Sequence, residues 1–298
     1  MTTNTQIERL YFIGDIHGQQ EKLAQLLECI NFEPHQPATN HQLVFIGDLI
    51  DNAPGFSGNH IALLNQVKTL TDQKQAHCIL GNHEFNAVGW ALKKADGSFL
   101  RPHTKNNYLQ HQAFLTAVGE DSLEHQQWIN WFKQLPLFLD FTTVRAIHAC
   151  WDNDAINAIQ PYLNKDNSLK EAHWHNAFDK QHELYALCET LLKGPEQTMP
   201  VGQFFVDKTG KKRTQQRIEW WHDYHLQKNA KPVLIGHYTL NGYPAKKSQS
   251  VVCVDYNAAK GDNPLVAYEV CLSAESAINF GDECNFHYIN KASYANAI

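Results

Sequence analysis

The sequence has no basic track. Its longest cationic cluster is Lys211, Lys212 and Arg213, in 298 residues of net charge -6 and pI near 6.3. A nucleic-acid backbone is gripped by stripes of Lys and Arg, so no nucleic-acid partner is expected. Paired cysteines are also missing: the seven (Cys29, Cys78, Cys150, Cys188, Cys253, Cys271, Cys284) are scattered, odd in number and form no CxxC. That pattern excludes a disulfide framework or a zinc ribbon and reads as reduced thiols in the cytoplasm. No apolar run approaches the roughly 20 residues that cross a bilayer. Met1 to Arg9 lacks the basic-then-apolar order of an export signal. A soluble protein without a membrane partner is expected. Internal repeats and low-complexity segments are absent as well.

What is present is material for a core. With 43% hydrophobic and 11% aromatic residues, the chain can form one large domain over 1–298, or a domain with an insertion. Three short apolar runs each stop at glycine and polar residues: Leu10 to Ile13 before Gly14-Asp15, Leu43 to Ile46 before Gly47-Asp48, and His77 to Leu80 before Gly81-Asn82. Helical spacing separates them, with Leu23, Leu26, Leu27 and Ile30 in one segment and Ile61, Leu64, Val67 and Leu70 in the next. Strand, helix, strand, helix, strand predicts parallel pairing, which gathers all three polar turns at the carboxyl ends of the strands, where such sheets bind ligands.

Further helices are predicted at Glu84 to Lys94, Tyr108 to Val118, Leu123 to Leu135 and Phe178 to Leu192. Leu137 to Phe141 and Val144 to Ala149 read as a hairpin around Thr142-Thr143. Val233 to Ile235 leads to Gly236-His237, Val251 to Val254 leads to Asp255, and Leu265 to Val270 is one more strand. Between them, 155–231 is rich in His, Trp, Gln and Lys, with a turn expected at Lys208-Thr209-Gly210-Lys211. It reads as an inserted helical cap.

The polar turns carry chemistry. In Gly14-Asp15-Ile16-His17-Gly18 an oxygen and a nitrogen ligand can turn toward one cation. Gly47-Asp48-Leu49-Ile50-Asp51-Asn52-Ala53-Pro54 supplies two carboxylates three residues apart. Gly81-Asn82-His83-Glu84 pairs an amide oxygen with an imidazole able to move a proton. Any one of these turns alone is as easily a helix cap or a turn former. Their succession, followed by strand-end His148 and His237, is what points to a metal site.

In that succession the sequence resembles the calcineurin-like metallophosphoesterase superfamily, particularly its phosphoprotein-phosphatase-like branch with bacterial diadenosine-tetraphosphatase relatives. The motifs run from Asp15 to His237 and leave 155–231 aside. The resemblance implies a four-layer αββα sandwich of two mixed sheets flanked by helices, with two divalent metal ions at the strand ends. By the same resemblance Asp15 and His17 hold the first metal, Asp48 bridges both, and Asn82, His148 and His237 hold the second. His83 is then the general acid and Asp51 orients its ring. The implied reaction is hydrolysis of a phosphate ester by a hydroxide bridging two ions. Manganese is the expected ion, with iron or zinc as alternatives, since nitrogen and oxygen ligands suit all three.

One departure concerns the substrate. Relatives that act as protein phosphatases follow the second Asp with Arg, whereas this chain has Asn52, whose neutral amide cannot make the charge-assisted fork. The phosphate clamp must come from elsewhere. Arg213 ranks first as a substrate-binding residue beside Asn82, with Arg217 and Arg101 behind it. A phosphorylated small molecule or a phosphoprotein is the expected substrate. A dinucleoside polyphosphate hydrolase is the alternative, drawing on Trp220-Trp221 and Phe204-Phe205 as base-stacking rings, and a weakly catalytic metal-binding scaffold is a third reading. A nuclease is disfavoured by the acidic balance. His173-Trp174-His175, Cys150 and Asp255 read as packing or supporting residues.

Overall fold

Along β1 (Arg9–Ile13) side chains alternate between two faces, and both faces are buried. Leu10 and Phe12 pack with Val44, Ile46, Ala146, Leu234 and Val252, whereas Tyr11 and Ile13 pack with the helix residues Leu23, Leu26, Leu63 and Val67. A strand whose two faces join different clusters lies between another sheet and a helix layer, and this is what makes the structure a sandwich. The computed structural model describes residues 7–34, 40–52, 58–200, 202–206, 212–226, 230–272, 280 and 285–289.

The first sheet has the order β13-β12-β1-β2-β3. In it β1, β2 (His41–Phe45) and β3 (Ala76–Cys78) run parallel, joined through α1 (Gln20–Cys29) and α2 (His60–Asp72) as the strand and helix alternation predicts. β12 (Val266–Cys271) pairs antiparallel with β1, and β13 (Phe286–Tyr288) with β12, so the sheet is mixed. The second sheet is ordered β11-β10-β5-β4. There β5 (Arg145–Ile147), β10 (Val233–Ile235) and β11 (Val251–Cys253) are parallel, and β4 (Phe138–Asp140) forms the expected antiparallel hairpin with β5. Fold class and layering are those expected, an αββα sandwich of two mixed sheets. Among the described residues no helix is long and apolar enough to cross a membrane.

Three helices follow β3. α3 (Asn82–Ala91) begins directly at the third motif, and α4 (Lys105–Val118) and α5 (Leu123–Phe132) are capped by Thr104 and Ser122, whose side chains accept from the backbone N–H three residues on. The helix expected from Phe178 to Leu192 is present but starts late, as α8 (Glu183–Lys193), after a separate short α7 (Trp174–Ala177). The physical reason is local: the Asp179 carboxylate accepts from Gln181 N and the His182 ring from Leu184 N, side-chain bonds that compete with a continuous helix.

The 155–231 segment divides in two. Its helical half, with α6 (Asn153–Ile159), α7 and α8, buries Ile156, Ile159, Trp174, Leu184, Cys188, Leu191 and Leu192 in the same core as the first sheet's outer face. Beyond Gly194 the chain forms two small antiparallel pairs: β6 (Glu196–Thr198) with β9 (Gln215–Arg217), and β7 (Phe205–Val206) with β8 (Lys212–Arg213). These pairs are largely exposed, Phe204, Phe205 and Val206 included. The expected turn at Lys208 to Lys211 lies outside the described residues, as do Ala53, Pro54 and Cys284.

The two sheets meet at their carboxyl ends by backbone contact. Gly14, just beyond β1, lies so close to Val254, just beyond β11, that a Cβ there would stand 2.0 Å from the Val254 carbonyl oxygen. Backbone cannot yield there as a flexible side chain could. Gly14→Ala is therefore expected to lower stability by about 1–3 kcal/mol, the usual cost of overpacking. A urea denaturation curve with an unchanged midpoint would contradict so close an approach.

Candidate metal centre

The first two motifs are laced together by backbone. Ile16 N and His17 N both donate to Asp48 O, and Gly18 N donates to Leu49 O. Around these bonds His17 (φ 50°), Asp48 (φ 51°) and Asp51 (φ 68°) adopt left-handed conformations, as does His237 (φ 66°) across the site. Such conformations cost non-glycine residues energy and persist where surrounding contacts over-determine them.

Glu84 supplies much of that determination. From the first turn of α3 its buried carboxylate accepts from Asp48 N, Leu49 N, Ile50 N and Gly81 N, at 2.8–3.1 Å. One side chain thus satisfies four amides of two different turns. Gly81 must be glycine, since a Cβ would stand 2.2 Å from Asp48 N and 2.3 Å from Asp48 Oδ1. Burial and the nearby Asp48 push Glu84 up to about 7.

Asp48 is the centre of the side-chain cluster. Its Oδ1 accepts from His83 N at 2.9 Å, at the positive end of α3. Its Oδ2 faces three imidazole nitrogens: His148 Nε2 at 3.4 Å, His83 Nε2 at 3.9 Å and His17 Nε2 at 4.0 Å. His17 Nδ1 donates to Ile50 O at 2.8 Å and His148 Nδ1 to Ile46 O at 2.7 Å, which leaves both Nε2 atoms turned to the carboxylate. Asn82 Oδ1 lies 3.0 Å from His148 Nε2 and 2.6 Å from His237 Nδ1. Two groups can each surround a cation: His17, Asp48 and His83, and Asp48, His148 and His237. Asp48 belongs to both. Asp15, buried, accepts from His237 N at 3.1 Å on the same wall. The structure thus brings Asp15, His17, Asp48, Asn82, His148 and His237 to one place.

Electrostatically the cluster sets crowded carboxylates against imidazoles. Burial, then Asp255 and Asp48, hold the Asp15 carboxyl well above the usual carboxylate range. Burial also opposes charge on Asp48, yet His148, His83 and His17 outweigh it and keep that group well below its ordinary value. Burial works against charge on His83 too, but Asp48 and then Asp51 raise the ring to about 9. Burial, then His148 and Arg217, push His237 well down. Buried carboxylates that repel each other, faced by imidazole nitrogens whose other nitrogen already donates, form a donor set that a divalent cation fits.

His83 Nδ1 donates to Asp51 Oδ2 at 2.7 Å. The ring's other nitrogen, Nε2, faces the cluster. Asp255, at the end of β11, accepts from Thr239 N and Asn257 N, so it supports the turn behind His237. Asn52 donates from Nδ2 to His17 O at 3.3 Å and braces the first motif.

A cavity of about 490 Å³ opens over these residues, and its lining includes Asn86, Arg101, Asn107, Gln110, Lys193, Arg217 and Thr239. Arg213, ranked first from the sequence, is not in that lining. It sits exposed on β8, paired through the strand with Phe205, and the order among the three arginines changes accordingly. Arg101 is held at Nη2 by Gln110 Oε1 (2.9 Å) and Asn107 Oδ1 (3.4 Å), while its Nη1 is buried with no hydrogen-bond partner among the described residues. Of the two histidines around Trp174, His173 packs edge-on against Tyr162 and exposed His175 donates from Nε2 to Lys93 O. Sequence reasoning missed His111, which donates from Nδ1 to Asp51 Oδ1 at 2.7 Å. It also missed the four-amide role of Glu84. The capping-box position of Glu84 in the third motif was a usable signal, whereas His111 on α4 offered none.

The model of the family described as calcineurin-like phosphoesterase matches residues 8–194, and the chain belongs to that family. A bis(5'-nucleosyl)-tetraphosphatase, symmetrical, of Janthinobacterium sp. (strain Marseille) is 31% identical over 141 residues, covering 47% of this chain and 42% of that protein. The protein of the same description from Vibrio campbellii is 28% identical over 183 residues, covering 59% of each. The chain thus spans about half the length of the curated relatives it matches. Among solved structures, a cold-active protein-tyrosine phosphatase of a psychrophilic Shewanella sp. shares the fold at TM-score 0.52 and 18% identity, over 90% of this chain and 81% of that one. A protein serine/threonine phosphatase from Saccharomyces cerevisiae does so at 0.52 and 17%, over 96% and 80%.

Glu84→Ala would leave four buried amides without their acceptor. At about 1–3 kcal/mol for a group left unsatisfied, the loss is expected to exceed 3 kcal/mol and to lower cation affinity with it. Thermal unfolding and calorimetric metal titration of the variant test both.

Proposed function

We propose that this chain is a metal-dependent phosphoesterase that hydrolyses phosphomonoesters. The observation that supports the reading most is the position of Asp48, whose carboxylate belongs to both candidate cation groups. His17 and Asp48, with Asp15 from the same wall taking the place of His83, would hold one divalent ion, and Asp48, Asn82, His148 and His237 the other. Two ions so held lower the pKa of a water and neutralise charge on phosphoryl oxygens. Manganese is the first ion to test, with iron and zinc behind it.

The remaining steps belong to the chain's own side chains. His83, anchored at Nδ1 by Asp51, presents Nε2 to the cavity and delivers a proton to the leaving alkoxide. Arg101 and Arg217 line the cavity and take the phosphate in place of the fork that Asn52 cannot make. Asn82, which also lines the cavity, would share in substrate contact. A phosphoryl group suits a cavity lined by amides, cations and imidazoles.

Cleavage of a dinucleoside polyphosphate is the second reading. It is favoured by the names of the curated relatives and by Lys193 as a further cation in the lining. Against it, none of the four rings expected to stack bases lines the cavity: Trp221 is buried, Trp220 Nε1 donates to Ala149 O and Tyr238 Oη, and Phe204 and Phe205 stand exposed outside the lining.

The deciding experiment compares p-nitrophenyl phosphate, a phosphopeptide and diadenosine tetraphosphate with the manganese-loaded protein. Monoester turnover that stops on chelation is expected, with His83→Asn lowering kcat about 100-fold or more. Asp48→Asn is expected to abolish paired cation binding by calorimetry. Preference for diadenosine tetraphosphate would install the second reading, and bound metal without any turnover would support a scaffold. For the clamp, Arg101→Ala is expected to raise KM about tenfold, a loss of about 1.4 kcal/mol, while Arg213→Ala leaves KM unchanged. Equal effects of the two would return Arg213 to the site.

A further inference from the structure

Asp51 has two imidazole partners, and the proton-delivery reading uses only one. Its side chain is fully buried, with Oδ2 accepting from His83 Nδ1 and Oδ1 from His111 Nδ1, each at 2.7 Å. Burial opposes charge on this carboxyl, but His111 and then His83 outweigh it and hold the group well below the usual range. An ionised carboxylate only accepts hydrogen bonds, so both rings carry their proton on Nδ1. A carboxylate held from one side can still turn about its Cβ–Cγ bond. Held from both sides, it is locked in plane, and the His83 ring is locked with it.

His111 is otherwise a costly residue to keep where it stands. It is wholly buried on α4 against Phe114 and Trp90, with ring centroids at 5.2 Å and 5.7 Å, and its Nε2 meets no hydrogen-bond partner among the described residues. A leucine would fill the same space without stranding a polar atom. Among the described residues, the imidazole's one polar contact is with Asp51.

We infer that His111 is a positioning residue that acts through Asp51 to aim His83 at the leaving group, an inference that rests on the proposed phosphoesterase reading. Its effect must therefore scale with how much the leaving group needs a proton. p-Nitrophenolate leaves with little help, whereas an aliphatic alkoxide does not.

The test compares His111→Leu, which removes the donor, with His111→Asn, whose amide N–H can occupy the place of Nδ1. In His111→Leu, kcat for an alkyl phosphate is expected to fall about 10- to 100-fold, the usual effect of losing a group that orients a functional histidine. p-Nitrophenyl phosphate should lose several-fold less, KM should hold for both esters, and His111→Asn should recover most of the loss. In parallel, proton NMR of the metal-free protein reads the carboxylate-bound imidazole protons downfield of the amides. His111→Leu should remove one signal and shift the His83 signal, which His83→Asn identifies. Equal losses on both esters, an Asn variant no better than Leu, or an unmoved His83 resonance would each overturn the inference. If the wild-type protein cleaves neither ester, the phosphoesterase reading fails, and the NMR comparison, which needs no turnover, still decides whether His111 orders His83 through Asp51.

Discussion

Asp48 ends a strand with its carboxylate almost wholly withdrawn from water, and a charge so placed has to be compensated from every side. Three imidazoles converge on Oδ2, a helix N-terminus donates to Oδ1, and the residue's own backbone is held by Glu84 and by the first motif. Each arrangement fixes another. The left-handed backbone at His17 and Asp48 lies where the two turns share hydrogen bonds, and Gly81 is glycine because Asp48 passes so close. Compensating one buried anion thus dictates the shape of three turns.

The sandwich makes this compensation possible. Parallel strands in each sheet send their carboxyl ends to one edge, and the facing of two sheets puts His148 and His237 opposite Asp15, Asp48 and Asn82. Ile46 O at the end of one sheet fixes the His148 ring from the other, so the inter-sheet core of Phe12, Val44, Ala146 and Leu234 also sets the site's geometry. Buried carboxylate on buried carboxylate is a stress that apolar packing alone would not hold. Here the rigid strand ends bear it and leave a donor set suited to cations.

Outside that inner ring the arrangement is looser in origin. Arg101 comes from the turn after α3 and Arg217 from the small β9 strand, so the cations over the cavity belong to peripheral elements. The helical half of 155–231 is a wall of the core, the two small strand pairs beyond it project, and Trp221 and Tyr224 return to the core. Position in the chain said little about either role.

The strands before Gly14, Gly47 and Gly81, their parallel order and the hairpin at Thr142-Thr143 were legible because apolar runs and glycine turns are local patterns. So were the motif residues, each beside its glycine at a strand end. The antiparallel edge of β12 and β13, the late start of α8, the exclusion of Arg213 from the cavity and the pairing of His111 with Asp51 were not legible. His111 lies 60 residues from Asp51 on a helix whose pattern marks it only as buried. Periodicity and turn chemistry act between neighbours in the chain, so the sequence by itself determined the strands, the turns and the residue types at them. Which distant side chains share a carboxylate or face a cavity depends on how layers pack, and only the tertiary structure decided that.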